Sequence, residues 1–256
     1  MPAIISDPHF YLAAIPAVIL LGLSKGGFSG IGTAATPLLA LYLPPLEAAA
    51  LLLPVLITQD LISIYVYRRD WDARNLTIML PGALIGMALA WLVASSISDN
   101  AIRLMVGGIG LAFVAQVVLQ RVMRRAVTAG RPAGIASGVF WGSVSGFTSF
   151  MVQGGGPPFQ VYVLPQRLPK LTLVGTTTIF FAVVNALKIG PYLALGTFTP
   201  ANLATSVALL PAAIAANFAG VWLVRRTPTG LFYQIAYGLL LLISLTLLWQ
   251  GVSGLF

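Results

Sequence analysis

"GLSKGGFSGIG", Gly22–Gly32, sets one lysine among five glycines and two serines directly after an apolar run. Neither a charge nor slack backbone suits a bilayer interior unless the chain turns there or lines a polar cavity. The surroundings make the bilayer the relevant solvent. Of 256 residues, 58% are apolar and 8% charged, with a mean hydropathy of +0.94, whereas ordinary soluble domains carry about 25% charged residues. The composition therefore predicts an all-α polytopic membrane protein with nearly every helix embedded.

The chain has no cysteine, which excludes disulfides, thiol catalysis and Cys-ligated metals. The opening "MPAIISDPHFYLAAIPAVILLGL" has no Lys or Arg before its apolar stretch and no small-residue cleavage site after it. It is expected to stay in the mature protein. A formal charge of +8 reads as basic cytoplasmic loops rather than as a nucleic-acid surface.

Six stretches are long enough to span: Leu46 to Tyr67, Leu76 to Ser96, Ile102 to Leu119, Leu171 to Leu195, Leu203 to Val224 and Leu231 to Gln250. Two more, Phe10 to Leu43 and Ala133 to Pro165, are apolar but interrupted by glycine. Each is too long for one span and too broken for one continuous helix. The broken segments also resemble each other. Gly27-Phe28 recurs as Gly146-Phe147, and "PLLALYLPP" from Pro37 as "PFQVYVLPQ" from Pro158, which sets Tyr42 and Tyr162 120 residues apart. Leu80-Pro81-Gly82 answers Leu210-Pro211-Ala212, and Trp91-Leu92 answers Trp222-Leu223, so the order is kept at offsets of 119 to 131. A duplicated unit follows, with repeats over 1–125 and 126–256 within one membrane domain.

The basic residues test the topology. If each broken segment crosses once, the loop Lys and Arg residues divide seven to five between the two sides. If each enters and returns, Arg68, Arg69, Arg74, Arg121, Arg124, Arg125, Arg131, Arg167, Lys170, Arg225 and Arg226 share one face, and Arg103 alone faces the other. That is a positive-inside pattern with both termini outside. The two halves are then inverted repeats of a kind used by secondary transporters. The limb from Pro37 to Pro44 is about 12 Å long at 1.5 Å per residue, which favours re-entrant hairpins. Pairs of full but irregular spans give the same sidedness, for a total of about 8 to 10 helices.

The two tips read "SKGGFSGIGTAATP", Ser24 to Pro37, and "SGFTSFMVQGGGPP", Ser145 to Pro158. Glycine lets backbone approach a ligand closely. Proline in a first helical turn, as Pro37 and Pro157 or Pro158 are placed to be, leaves helix N-terminal N–H groups facing the tip, an arrangement suited to anions. The candidate substrate contacts are Ser24, Lys25, Gly26, Gly27, Ser29, Gly30 and Thr36 in the first tip. Thr148, Ser149, Gln153, Gly154, Gly155 and Gly156 are those of the second, with Asn185 and Lys188 in "FFAVVNALKIGPYLALG". Snorkelling to the interface is the competing reading for both lysines.

Asp60 is the one acid placed within a span, and the repeat pairs its position with Asn185. It is the candidate coupling or proton-carrying group. Lys25, Lys188 and Asp60 together leave one excess positive charge, which favours an anion as cargo. Gly82, Gly86, Ala90, Ala216 and Gly220 read as small residues for close helix packing. His9 stands alone, and no metal or cofactor is implied.

"GLSKGGFSGIGTAATPLLALYLPP", "LLLPVLITQDLISIYVYRRDW", "GFTSFMVQGGGPPFQVYVLPQRL" and "GTTTIFFAVVNALKIGPYLALGTF" resemble the TauE/SafE family of sulfite exporter-like membrane permeases (TSUP), in order and over nearly the whole chain. The resemblance implies a small bacterial inner-membrane permease with two related halves. It also implies export of sulfite, sulfoacetate or a related organosulfur anion, with uptake of other small anions in some members. Relatives often carry histidine where this chain has Gln153, so a proton route through that imidazole is closed here and Asp60 takes its place as the candidate.

The sequence thus points to a secondary transporter, an exporter of a small sulfur-containing anion working by alternating access, with protons as the candidate coupling ion. A transporter or channel for another small anion is the alternative. A membrane-embedded phosphatase is disfavoured, because neither tip holds a carboxylate for such chemistry. No GxxxxGK[ST] loop occurs, so gradients rather than ATP are expected to drive it.

Overall fold

In the computed structural model the described residues are 4, 5, 7–27, 32, 35–39, 42, 43, 45–93, 98–122 and 134–254. Ser29 and Gly30 of the first tip, and the loop residues Arg124, Arg125 and Arg131, lie outside them. All regular structure among the described residues is helical: α1 (Pro8–Gly26), α2 (Ala35–Leu39), α3 (Pro45–Tyr67), α4 (Ala73–Val93), α5 (Asp99–Val122), α6 (Ile135–Val152), α7 (Gly156–Val163), α8 (Lys170–Ala194), α9 (Pro200–Arg226) and α10 (Thr229–Ser253). A 3-10 turn, Leu164–Gln166, follows α7.

Each of the six stretches read as spans is a helix, and α1, α3, α4, α8 and α9 are long and apolar enough to cross a membrane. Their outward faces confirm the solvent. Leu12, Leu61, Leu92, Val207 and Trp249 are all more than 60% exposed, a surface that fits lipid rather than water. The protein is a multi-pass membrane protein. Prolines 16, 54, 81, 191 and 211 lie inside helices, a usage that spanning helices tolerate because neighbouring groups re-satisfy the freed backbone.

The chain folds as two compact units. The first is built from α1, α2, α3, α8 and α9 (Met1–Trp71 and Val174–Thr227) and the second from α4 to α7 with α10 (Asp72–Leu173 and Pro228–Phe256).

In the first unit α1 packs along α9. A Cβ on Gly22 would meet the Ala213 carbonyl at 2.8 Å and one on Gly26 would meet Gly220 at 2.5 Å, so the two backbones touch where side chains would normally hold them apart. Residues advance together along the two helices, 22 beside 213 to 217 and 26 beside 220, so α1 and α9 are parallel. α3 is parallel to α9 as well: the Asn202 amide donates to Glu47 at 3.0 Å, the Ser206 hydroxyl to the Leu51 carbonyl at 2.6 Å, and the Gln59 amide to the Ala213 carbonyl at 3.1 Å. Since α1 and α3 both run with α9, the chain between them comes back from the end of α1 to the start of α3. Ile5 donates to Thr205 and Glu47 accepts from Asn202, which sets both starting points at one level of α9.

The second unit repeats this arrangement with different helices. A Cβ on Gly82 would meet the Val139 carbonyl at 2.2 Å, one on Gly86 the Ser143 carbonyl at 1.9 Å, and one on Gly146 the Ala83 carbonyl at 2.3 Å. These contacts advance together, so α4 and α6 are parallel. α7 folds back along α6: the Ser145 hydroxyl donates to the Gly155 carbonyl at 2.8 Å and the Tyr162 hydroxyl to the Gly134 carbonyl at 3.1 Å. α5 and α10 are antiparallel, with Gly107 against Ser244 and Leu248, and Gly254 against Asn100.

Candidate functional site

The site in the first unit is a buried chain of four polar side chains drawn from three helices. Lys25, in the last turn of α1, donates through Nζ to Asp60 Oδ1 of α3 at 2.5 Å. Asn185 of α8 donates through Nδ2 to Asp60 Oδ2 at 2.7 Å and accepts at Oδ1 from Lys188 Nζ at 3.1 Å. Asp60 is 3% exposed, Asn185 2% and Lys188 0%, while the Lys25 side chain retains 11%. The Lys25 ammonium also lies over the Phe181 ring, 5.7 Å from its centroid. Both carboxylate oxygens of Asp60 thus accept from a donor, and one of them faces a full positive charge. Snorkelling is excluded for these lysines in this structure, since both ammonium groups turn to buried partners.

Each position has a local cause. α1 ends at Gly27, whose φ of 142° belongs to glycine, and a Cβ there would lie 2.5 Å from Val224. Glycine is required twice over, by the turn and by the neighbouring helix. That stop leaves the last carbonyls of α1 without helical partners. α3 supplies them: the Ser63 hydroxyl donates to the Lys25 carbonyl at 3.1 Å and the Tyr67 hydroxyl to the Gly26 carbonyl at 2.6 Å. Lys25 is therefore held by its backbone as well as by its charge. A second polar layer braces α3 against α9, where Asn217 donates to the Gln59 carbonyl at 2.9 Å and to the Ser63 hydroxyl at 3.1 Å.

Of the residues read from the sequence, Lys25, Asp60, Asn185 and Lys188 are brought together. Ser24 lies against Gly32, whose Cβ would meet the Ser24 side chain at 3.0 Å. Gly26 and Gly27 serve the packing of α1 on α9 and the turn. Thr36, in α2, is 1% exposed, and its hydroxyl has no hydrogen-bond partner among the described residues. The Gln59 Oε1 atom is buried in the same unpaired condition. Buried polar atoms are almost always paired; Arg103 Nε and Gln250 Oε1 of the second unit are in the same condition among the described residues, so these atoms alone do not mark a site.

In the second unit the break falls at Gln153, which caps α6 in the left-handed conformation at φ 55°, its N–H donated to the Ser149 carbonyl and the next N–H, of Gly154, to the Thr148 carbonyl. Gly155 is the N-cap of α7, with proline in the first turn of that helix. Thr148 turns its hydroxyl onto the Val144 carbonyl at 2.8 Å. Gly154 and Gly155 are buried, and Ser149 is 2% exposed. Among the described residues no charged side chain is buried as a whole in this unit, although the Arg103 Nε atom is.

The sequence reading missed Gln59, Ser63 and Tyr67. Their spacing of four residues puts them on one ridge of α3, a periodic polar stripe inside an apolar helix that was legible beside Asp60. Asn217 and Phe181 had no such signal, one lying in an Ala/Gly-rich stretch and the other in an aromatic pair.

No curated protein and no solved structure matches the chain. The family described as Sulfite exporter TauE/SafE matches residues 14–247, nearly the whole chain and every residue of the buried cluster. The protein belongs to the TauE/SafE sulfite exporter family, a family of membrane transporters.

Proposed function

We propose that the protein is a secondary transporter that exports a small sulfur-containing anion, sulfite or an organosulfonate, by alternating access, and that Lys25, Lys188, Asn185 and Thr36 form its anion site in the first unit. The observation that carries this reading is a buried chain of two lysines and one aspartate joined through Asn185. Ionisable side chains in a membrane interior are costly and are retained for function. An anion entering beside Lys25 would neutralise it. In the second unit Thr148, Ser149, Gln153, Gly154, Gly155 and Gly156 are the candidate contacts, Asp60 is the candidate proton carrier, and protons are the coupling ion.

The inverted repeat is part of this proposal. An enter-and-return topology for both broken segments requires α1, α3 and α9 to run one way, α4 and α6 to share a direction, and α5 and α10 to oppose each other. The observed directions within each unit agree with that requirement on every pair. A single crossing by the first segment would make α1 and α3 antiparallel. The hydrogen bond between Asp60 and Asn185, which the repeat pairs with each other, adds support for a pseudo-twofold relation. We assign the protein to the bacterial inner membrane with both termini outside, on the strength of the basic loops.

The test is flux of sulfite and of methanesulfonate into or out of proteoliposomes. Wild-type protein transports at least one of them down an imposed gradient, and Lys25→Ala abolishes the flux. Unchanged flux in Lys25→Ala would remove Lys25 from the site. Asp60→Asn retaining normal transport driven by a pH gradient would remove Asp60 from the coupling step.

A further inference from the structure

We propose that the arginine-rich end of the first unit seats anionic phospholipids, with the guanidinium groups of Arg68 and Arg226 holding the phosphate at headgroup depth. This surface lies apart from the buried cluster, and the inference does not depend on the function assigned there.

Charge is segregated along the first unit. α1, α3 and α9 run parallel, so Asp7 before α1 and Glu47 in the first turn of α3 lie toward one end. Arg68, Arg69, Arg225 and Arg226 lie at the other, where α3 and α9 finish. The two finishes are level: Asn217 donates to Ser63, and farther along Arg225 is within electrostatic reach of the Tyr67 hydroxyl. All four arginines are exposed, and Asp70, partly buried, is the one acid in the stretches 65–71 and 218–227. Arginine stays charged throughout the physiological range. Four positive charges against one negative give this end a fixed excess of three.

Basic residues that only mark topology need do no more than reach water. Two of these arginines instead turn back along the bilayer-facing surface. Arg68 lies over the exposed Tyr65 ring, 4.4 Å from its centroid, with Nη1 donating to the Tyr65 carbonyl at 2.8 Å. Arg226 lies over the exposed Trp222 ring at 4.3 Å. Each guanidinium is thus drawn about one turn toward the bilayer and stacked on a ring of the kind that lines membrane interfaces. The Trp71 indole, donating to the Arg68 carbonyl at 3.0 Å, fixes the turn that carries Arg68.

Exposed apolar surface continues inward on the same faces, with Leu61 one turn before Tyr65 and Phe218 one turn before Trp222. From the helix end inward each track reads guanidinium, interfacial ring, exposed apolar side chain. That order matches the phosphate, glycerol backbone and acyl chain of a phospholipid. A guanidinium is a planar fork of five N–H donors suited to phosphate oxygens, and the bond to the Tyr65 carbonyl uses one of those of Arg68. The fixed positive excess opposes the cationic group of a zwitterionic headgroup, so the headgroup that fits carries net negative charge.

Dioleoylphosphatidylglycerol and dioleoylphosphatidylcholine share their acyl chains and differ in headgroup charge. Lipid binding to the purified full-length protein in a neutral detergent, followed by native mass spectrometry, is expected to favour phosphatidylglycerol by about tenfold or more. Arg68→Gln and Arg226→Gln are each expected to lower its affinity about fivefold, and the double variant about twentyfold. Arg74→Gln makes the same change of charge at an exposed arginine of the second unit and is expected to stay within about twofold of wild type. Glycerol phosphate, a headgroup without chains, is expected to bind at least about tenfold more weakly than the lipid.

Equal binding of the two lipids would overturn the proposal, as would a phosphatidylglycerol affinity that the double variant retains. An equal loss in Arg74→Gln would show that basic surface in general holds the lipid, and would overturn the assignment to the stacked arginines. Glycerol phosphate binding as tightly as the lipid would make this end a site for a soluble anion instead. If the double variant does not fold, the two single variants decide.

Discussion

The two units solve one backbone problem and put different chemistry on the solution. Each lays a glycine-broken segment, α1 with α2 or α6 with α7, against a long helix carrying an internal proline, α9 with Pro211 or α4 with Pro81. Each uses glycine to bring two parallel backbones into contact, at Gly26 on Gly220 and at Gly86 on Ser143. The interiors then diverge. The first unit buries Lys188 and Asp60 with Lys25 beside them, along with Gln59, Ser63, Asn185 and Asn217, whereas the second buries Asn75, Ser145, Thr148, Ser149, Gln160 and Ser244 and, among its described residues, no whole charged side chain. Packing is thus common to both units, and the charged chemistry belongs to the first.

The largest effect is expected where the units differ. Lys25→Ala leaves Asp60 buried without its ion partner, and breaking a buried pair from one side costs about 3–5 kcal/mol. The midpoint of unfolding in mild detergent is expected to drop accordingly, with flux lost. Combining Lys25→Met with Asp60→Leu removes both charges and is expected to recover much of that stability without recovering flux. A double variant no more stable than Lys25→Ala would show that the pair is not the source of the loss. In the second unit, Thr148→Val removes a hydroxyl that serves only the carbonyls of its own helix turn, and a shift of less than about 1 kcal/mol is expected.

That contrast also measures what the sequence could reveal. The spans, the position of both breaks and the four members of the charged chain were legible, because charge and glycine are conspicuous against an apolar background. The partition into units was not: each unit combines helices from both halves of the sequence, and pairings such as α1 with α9 are made by small residues that carry no address. α1 was hidden as a span of its own, since Phe10 to Leu43 read as one broken segment, whereas α1 alone runs about 28 Å at 1.5 Å per residue. The Gly-Phe pair misled in detail. It marks the end of α1 at Gly27 but lies inside α6 at Gly146, which continues to Val152. The end of a helix depends on what caps it, and Ser63 and Tyr67 come from elsewhere in the chain.

A middle-sized effect tests what the units share. Gly86→Ala sets a methyl 1.9 Å from the Ser143 carbonyl oxygen, and Gly26→Ala sets one 2.5 Å from Gly220. In both cases the obstacle is backbone, which cannot rotate away, so the helices must separate. Overpacking of this kind costs about 1–3 kcal/mol. Thermal unfolding is expected to show comparable losses for the two substitutions. A loss confined to Gly26→Ala would mean that the glycine contacts are specific to the charged unit. Anion binding offers a second readout: Gly86→Ala is expected to leave the affinity for methanesulfonate within about twofold, since sites without shared partners act nearly independently, whereas Gly26→Ala adjoins Lys25 and is expected to weaken it.

The smallest effect separates two tyrosines that do the same thing in different surroundings. Tyr67, fully buried, donates to the Gly26 carbonyl at the end of α1, and Tyr162 donates to the Gly134 carbonyl at the start of α6, where Gly134 is exposed. Phenylalanine at either position removes one donor and little volume. At Gly26, which is buried, the abandoned carbonyl has protein around it, so its desolvation is uncompensated and a loss of about 1–3 kcal/mol is expected. At Gly134 water can take over the bond, and the expected loss is below about 1 kcal/mol. Tyr67→Phe also frees the turn that carries Lys25, so its anion affinity is expected to fall by severalfold while Tyr162→Phe stays at the wild-type value. Equal stability losses with no change in affinity in either variant would show that the Tyr67 bond to the end of α1 does not position the lysine, leaving that to the ion pair with Asp60 and the Ser63 bond to the Lys25 carbonyl.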